Sequence, residues 1–155
     1  MRFSAQSLRA EKGATMLLNI SEELAPIDLG RSRLKFVGPV EFVGQATNTG
    51  RRIVVRGTAK GRATAMCDRC LEEFAMDLAT PIDQSYYRAD EAPADPDGDE
   101  RIYGDDDVID ISPDIEHAFV LTLPIRIVCR DDCRGLCPRC GLDLNKGECA
   151  CPADD

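Results

Sequence analysis

The first half of the chain alternates apolar and polar residues, a pattern typical of antiparallel β-strands with one buried face. The alternation runs through VEFVGQAT from Val40, RRIVVRGTA from Arg51 and RATAMC from Arg62. Turn-forming residues separate these segments at Asn48–Gly50 and again near Lys60–Gly61. The sequence therefore predicts three consecutive antiparallel strands.

The next segments contain one ambiguous run and one short helix. The run LEEFAMDLATPIDQSYY from Leu71 fits both helical spacing and alternation, and we interpret it as a strand. Further on, Ser112 can cap a helix and Pro113 suits its first position. Three apolar residues would share one face of this helix: Ile115, Phe119 and Leu123. We predict that the helix ends near Leu123, before Pro124.

These elements predict a mainly antiparallel β (α+β) fold with a short helix and a C-terminal zinc knuckle. The 155 residues suffice for one domain with a small appendage. We place the β domain at residues 1–128 and a cysteine-rich, zinc-binding tail, packed on it, at residues 129–155. The chain lacks the run of about 20 apolar residues that a membrane helix needs, and its first residues are charged where a signal peptide is apolar. We therefore expect a cytoplasmic protein without membrane contact.

The formal net charge of −9 is unevenly distributed along the chain. Residues 89–107 hold nine acids against Arg101 alone, which favours a disordered, solvated insert. Residues 31–69, by contrast, hold nine bases against two acids. The first half is thus locally basic, and four arginines are candidates for contact with the phosphates of a nucleic acid: Arg51, Arg52, Arg56 and Arg62.

Eight cysteines and one histidine narrow the possible chemistry. A reducing cytosol does not maintain four disulfides, so metal binding is the first explanation for these thiols. Two pairs, Cys67 with Cys70 and Cys137 with Cys140, have the two-residue spacing that lets neighbouring thiolates bind one tetrahedral ion. The other four are Cys129, Cys133, Cys149 and Cys151. With His117 as the lone imidazole, a catalytic zinc site is disfavoured, and we predict structural zinc in a protein that is not an enzyme.

Three partitions of the thiols are open. The first forms two four-thiolate zinc sites, one from Cys67, Cys70, Cys129 and Cys133, the other from Cys137, Cys140, Cys149 and Cys151. A rival partition groups the middle four cysteines around one ion and the outer four around another. A third has a single site with four spare thiols. We favour the first because the short loop between Cys140 and Cys149 costs little closure entropy.

Three motifs together resemble the YceD family of large ribosomal RNA accumulation proteins. They are CDRCLEEF from Cys67, LTLPIRIVC from Leu121, and GLCPRCGLDLN from Gly135, the last followed by a terminal CxC. The resemblance covers roughly Gly38 to Cys151. It implies a non-enzymatic factor that supports accumulation of 23S ribosomal RNA and biogenesis of the large subunit. The implied partner is ribosomal RNA or a basic large-subunit ribosomal protein.

A second class of function is a thiol-based redox or zinc-sensing protein, in which oxidation of the CxxC pairs releases metal. Thioredoxin-like CxxC motifs open a helix within a βαβ unit. The segment before Cys67 instead alternates like an antiparallel strand. This context favours the metal-binding interpretation over redox exchange.

Overall fold

The structure is a computed structural model that describes residues 1–30, 32–92 and 100–151, with Glu100 described by its backbone alone. The strands in chain order are β1 (Arg2–Ser4), β2 (Thr15–Glu22), β3 (Ile27–Asp28), β4 (Arg33–Phe36), β5 (Val40–Asn48), β6 (Arg52–Met66), β7 (Glu73–Arg88), β8 (Glu100–Tyr103) and β9 (Val108–Asp110). One α-helix follows them, α1 (Ser112–Thr122), and a 3-10 turn spans Leu8–Ala10.

A long hairpin of β6 and β7 forms the centre of the sheet. The two strands contain 15 and 16 residues, and they pair in continuous antiparallel register from Arg52 opposite Tyr87 to Met66 opposite Glu73. Residues 67–72 close this hairpin. The first CxxC motif therefore occupies the tip of the longest paired element in the fold.

The other strands of this sheet extend it from both edges of the hairpin, whereas β1 and β9 pair with each other in a separate antiparallel two-stranded sheet. β5 and β4 lie one after the other along the same edge of β6, antiparallel to it. β2 pairs with β5, β3 pairs with β4, and β8 adds to the outer edge of β7 in parallel orientation. The predicted fold class, mainly antiparallel β with one helix, is confirmed. The segment after Cys70 is indeed a strand.

The predicted turn at Lys60–Gly61 is wrong, because β6 passes straight through both residues. Gly61 is paired with Leu78 within the hairpin. A Cβ atom at Gly61 would lie 3.0 Å from Cγ2 of Val40, so the missing side chain makes room for packing rather than for a reversal of the chain. The backbone ladder over 15 residues outweighs the local turn signal of Lys-Gly.

Two further glycines make room for the largest core side chain of the sheet. Gly44 on β5 lies opposite Gly57 on β6. A Cβ atom at Gly57 would stand 2.7 Å from Cζ of the Phe42 ring. Phe42 is fully buried. Its ring thus covers a strip of bare backbone that any larger residue would block.

Helix α1 packs on the inner face of β7 and completes the core. Ile115 and Phe119 are fully buried, and the Phe119 ring lies 5.6 Å from that of Phe36. The helix ends at Thr122, close to the predicted end. Capping by Ser112 is wrong, because Ile111 occupies the cap position and Ser112 is the first helical residue. The Ser112 amide donates to Oδ1 of Asp110 at 3.0 Å.

The predicted disordered insert, residues 89–107, is only partly described: residues 93–99 lie outside the described residues. For residues 100–107 the prediction of disorder is wrong. Strand β8 pairs with β7, Tyr103 is buried, and Arg9 donates to Asp107 at 2.7 Å. The local charge count could not show this, because the partners of these residues come from distant parts of the chain.

Candidate metal centres

The first cysteine cluster joins the tip of the central hairpin to the segment after α1. Its members are Cys67, Cys70, Cys129 and Cys133, whose four sulfurs lie within 4.8 Å of one another. The distance from Cys67 Sγ to Cys133 Sγ is 3.8 Å, and that from Cys70 Sγ to Cys129 Sγ is 3.7 Å. Tetrahedral zinc with Zn–S bonds of about 2.3 Å separates its sulfurs by about 3.8 Å. A disulfide needs about 2.05 Å, so the spacing matches an ion and not a bond.

The second cluster lies within the tail itself. Its members are Cys137, Cys140, Cys149 and Cys151, again with all sulfurs within 4.8 Å of one another. Cys149 Sγ and Cys137 Sγ are 3.5 Å apart. Cys140 is exposed, whereas Cys67 of the first cluster is fully buried. The tail cluster is therefore the more accessible of the two.

The turn that carries the first CxxC motif, residues 67–72, is the first knuckle, and backbone hydrogen bonds around Cys67 close it. The Cys67 amide donates to the Glu72 carbonyl at 2.9 Å, and the Leu71 amide donates to the Cys67 carbonyl at 3.0 Å. Burial alone would raise the pKa of the Cys67 thiol, but the amides of Cys70, Cys129 and Arg69 lower this pKa to about 6. The backbone thus favours a thiolate at this position.

The tail knuckle repeats this arrangement at the same relative positions. The Cys137 amide donates to the Leu142 carbonyl at 2.8 Å, and the Gly141 amide donates to the Cys137 carbonyl at 2.9 Å. Amides of Cys140 and Arg139 lower the pKa of the Cys137 thiol to about 6. In both CxxC pairs, therefore, backbone amides lower the pKa of the first cysteine and favour its thiolate form.

The later cysteines behave differently in the absence of an ion. Burial and hydrogen bonding with neighbouring thiols raise the pKa of Cys129 to about 12. Hydrogen bonding with Cys140 and burial raise the pKa of Cys151 to about 12. A dipositive ion would displace these protons, so metal binding to either cluster must release protons and tighten with pH.

The two donor sets are compatible with metal binding. Each candidate centre among the described residues consists of four sulfurs, with neither histidine nor carboxylate. Four protein ligands complete a tetrahedral shell and leave no position for a water or a substrate. The grouping is that of the first partition. The rival grouping, with the middle four cysteines together, does not occur in the structure.

Hydrogen bonds join the hairpin tip to the segment after α1 and to the tail. The Asp68 amide donates to the Ile127 carbonyl at 2.7 Å, and Oδ2 of Asp68 accepts from the Ile127 amide at 2.7 Å. The Arg69 carbonyl accepts from the Leu136 amide at 3.1 Å. The roles of Asp68 and Arg69 were not predictable from the sequence, because they depend on partners about 60 residues away.

The division between β domain and tail remains a proposal, and we retain it at residue 128. Ile127 packs in the main hydrophobic core. Val128 and Cys129 instead pack around the first cysteine cluster. The packing thus changes from the main core to the sulfur cluster at this point in the chain.

The four candidate arginines lie at the start of the hairpin or along β6: Arg51, Arg52, Arg56 and Arg62. All four are exposed. Nε of Arg56 lies 3.0 Å from Oδ2 of Asp83, and Nε of Arg62 lies 3.9 Å from Oδ1 of Asp77. Both aspartates project from β7, so two of the four positive charges face a carboxylate.

Together, the fold and the site define a class: a mainly antiparallel β protein with one four-thiol cluster at a hairpin tip and a second in a short tail. The family model described as Large ribosomal RNA subunit accumulation protein YceD matches residues 55–155. The chain belongs to this family, as the resemblance of its cysteine motifs indicated.

Curated relatives are consistent with this membership. An uncharacterized protein of Mycobacterium tuberculosis is 34% identical over 94 residues, covering 59% of this chain and 45% of that protein. One from Mycobacterium leprae is 26% identical over 137 residues, covering 86% of this chain and 59% of that protein. Large ribosomal RNA subunit accumulation protein YCED homolog 1, chloroplastic, of Arabidopsis thaliana is 38% identical over 47 residues, covering 30% of this chain and 15% of that protein.

The chain spans about half the length of the mycobacterial relatives it matches. No solved structure matches it. Within the described part of the chain, no helix is both long enough and apolar enough to span a membrane.

Proposed function

We propose that this protein is a non-enzymatic cytoplasmic factor that supports accumulation of 23S ribosomal RNA and biogenesis of the large ribosomal subunit, with its fold held by two structural zinc ions. The observation that carries the proposal is the pair of four-sulfur clusters in a chain of the YceD family. Each cluster offers a complete tetrahedral shell, which suits a structural role and not Lewis-acid catalysis.

Zinc at the first cluster would join two distant parts of the chain. It would connect the hairpin tip at Cys67 and Cys70 to Cys129 and Cys133, about 60 residues further along. A structural zinc ion contributes its binding energy directly to folding. All-sulfur tetrahedral sites select zinc or iron–sulfur centres over hard cations. The metal would therefore stabilise the fold and take no part in a reaction.

The proposed contact with ribosomal RNA uses the exposed arginines of β6. Arg51 and Arg52 are exposed at the start of the strand. Arg56 and Arg62 are held by Asp83 and Asp77, both themselves exposed. A phosphate can compete for such exposed pairs, since a surface ion pair is worth only about 0–1 kcal/mol. A basic ribosomal protein is the alternative partner. It would contact the acidic segment, residues 89–107, instead of the arginines.

The test replaces the four arginines together by serine: Arg51, Arg52, Arg56 and Arg62. Removal of each arginine–phosphate interaction should reduce the slope of log K against log salt by about 0.7–0.9. Two metal ions should remain bound, and large-subunit RNA should fall in cells. Replacement of Asp77 and Asp83 by serine is the matched opposite change, and it should tighten RNA binding because it frees two guanidinium groups.

The outcomes separate the possible partners. Normal large-subunit RNA levels in the variant with four serines would contradict contact through the arginines. They would favour contact between the acidic segment and a basic ribosomal protein. Normal 23S RNA in a full deletion would reject the ribosomal role itself.

A redox or zinc-sensing function is the second candidate, since Cys140 of the tail cluster is exposed and therefore open to an oxidant. Oxidants attack thiols that combine thiolate character with exposure. Reversible disulfides with zinc loss at low peroxide would favour this function. Retention of two ions under mild oxidation would favour the structural role.

A further inference from the structure

The two cysteine clusters are linked by Asn145, which lies in the loop of the tail cluster between Cys140 and Cys149. Nδ2 of Asn145 donates to Sγ of Cys133, a member of the first cluster, at 3.5 Å. Its Oδ1 accepts from the Arg134 amide at 2.8 Å. One side chain from the tail loop thus holds both the sulfur and the backbone of the other centre.

The amide of Asn145 is fixed in one orientation. Nδ2 also donates to Oδ1 of Asp143 at 2.7 Å, and the backbone amide of Asn145 donates to the same oxygen at 2.9 Å. Reversing the side-chain amide would point its oxygen at both Asp143 and the Cys133 sulfur. The donor therefore faces Cys133, where it stabilises a thiolate.

A second route through the backbone joins the same two knuckles. The Leu144 amide donates to the Gly135 carbonyl at 2.9 Å, and Leu136 forms a β-bridge with Asp143. The Leu136 amide donates in turn to the Arg69 carbonyl of the first knuckle at 3.1 Å. The tail loop is thus a direct neighbour of the first centre.

We propose that Asn145 is a positioning residue that couples metal binding at the two clusters, so that an ion in the tail cluster tightens the ion in the first. An ion held by Cys140 and Cys149 fixes both ends of the loop that carries Asn145. The fixed loop presents the Asn145 donor to Cys133 at lower entropic cost. By linkage, an ion in the first cluster must tighten the tail ion by the same factor. The inference rests on the proposed presence of metal in both clusters.

The experiment measures the Cd²⁺ affinity of each cluster separately in the full chain, with ¹¹³Cd NMR and a competing chelator. Cadmium is a thiolate-binding probe, and each cluster gives its own resonance. Cys149→Ser identifies the first-cluster signal, and Cys70→Ser identifies the tail signal. Four chains then form a double-mutant cycle: wild type, Cys149→Ser, Asn145→Ala, and both changes together.

We expect Cys149→Ser to weaken Cd²⁺ binding at the first cluster about tenfold when Asn145 is present, within the range for hydrogen-bond partners of metal ligands. In the Asn145→Ala background the same change should have a clearly smaller effect, because the side-chain link is absent and only the backbone route remains. Glu148→Ala is the control, because Glu148 is an exposed residue of the same loop. It should leave the Cd²⁺ affinities of both clusters unchanged.

A second variant keeps the inference testable if Asn145→Ala does not fold. Asn145→Asp keeps an oxygen for the Arg134 amide but places a carboxylate beside the Cys133 sulfur. It should weaken the first cluster by more than about tenfold while the tail ion stays bound. Wild-type affinity in Asn145→Asp would overturn the inference.

An unchanged first cluster in Cys149→Ser, or an equal loss in both backgrounds, would also overturn the inference. Fewer than two ions bound to the wild-type chain would instead contradict the proposal of metal in both clusters. The two failures are therefore distinguishable.

Discussion

Each CxxC turn is followed by a residue in the left-handed backbone region. This residue is Leu71, at φ 60°, in the first knuckle and Gly141, at φ 73°, in the tail knuckle. This conformation costs a non-glycine residue about 1–2 kcal/mol. The first knuckle carries this cost at Leu71, whereas the tail knuckle has the residue that avoids it.

Gly141→Ala should therefore weaken metal binding at the tail cluster. A cost of about 1–2 kcal/mol corresponds to about a 5–30-fold loss of affinity. Chelator competition with a single-cluster chain, Cys70→Ser, measures this directly. Gly147→Ala is the matched control on the same loop, since its Cβ would meet nothing within 4 Å. Equal effects of the two changes would show that backbone conformation is not the cause.

Part of the site was predictable from single residues and their spacing. The CxxC pairs and the short loop between Cys140 and Cys149 predicted the two groups of thiols. The hydrogen bonds of Asp68 and Asn145 were not predictable, because each side chain binds a backbone group or sulfur of another segment. A polar residue in a loop carries no local mark of such a partner.

At the scale of elements, a buried polar junction joins β7, β8 and α1. The Tyr86 hydroxyl donates to Oδ2 of Asp114 at 2.6 Å, and Nε of Arg101 donates to Oδ1 of the same carboxylate at 2.9 Å. Asp114 and Tyr86 are both buried. The junction explains why the end of the acidic segment is ordered, since Arg101 is bound by an acid of the helix.

Tyr86→Phe should destabilise the fold by about 1–2 kcal/mol, because Asp114 loses a buried donor. Burial, followed by the hydrogen bond to Asp114, raises the pKa of Tyr86 above its ordinary value near 10. The folded state thus favours the protonated hydroxyl, whose contribution is complete below about pH 10 and is lost as pH rises further. Urea unfolding at pH 7 and at pH 10.5 checks both statements.

The wild-type chain should lose more stability than Tyr86→Phe between these two pH values. Tyr87→Phe is the control, since Tyr87 is on the same strand and less buried. A pH dependence that is the same in all three chains would assign the loss to other groups.

Elements with regular patterns were predictable, and elements that depend on distant pairing were not. Alternation predicted β5 and both ends of β6, and the apolar spacing of Ile115 and Phe119 predicted α1. The turn expected at Gly61 and the disorder expected for residues 100–107 were wrong. In both cases a strand partner that is remote in sequence decides the conformation.

At the scale of the molecule, the two centres should contribute unequally to stability. The first cluster ties the central hairpin to the segment after α1 and packs with Phe74 and Val128. The tail cluster closes a short local loop. Structural metal contributes more where it closes a longer loop of the unfolded chain.

Cys70→Ser should therefore lower the urea midpoint of the whole β domain more than Cys149→Ser does. Circular dichroism in the far ultraviolet reports the sheet, and zinc content confirms that each variant keeps one ion. An equal loss from the two variants would mean that the centres support the sheet to the same extent.

Native mass spectrometry of the intact wild-type chain tests most directly the claim that eight thiolates hold two structural ions. The expected mass is that of the chain plus two zinc ions, with four thiol protons lost at each site. Unfolding in acid should release both ions and return all eight cysteines as free thiols. A chain with no metal, with one ion, or with the mass loss of disulfides would contradict the two-centre structure.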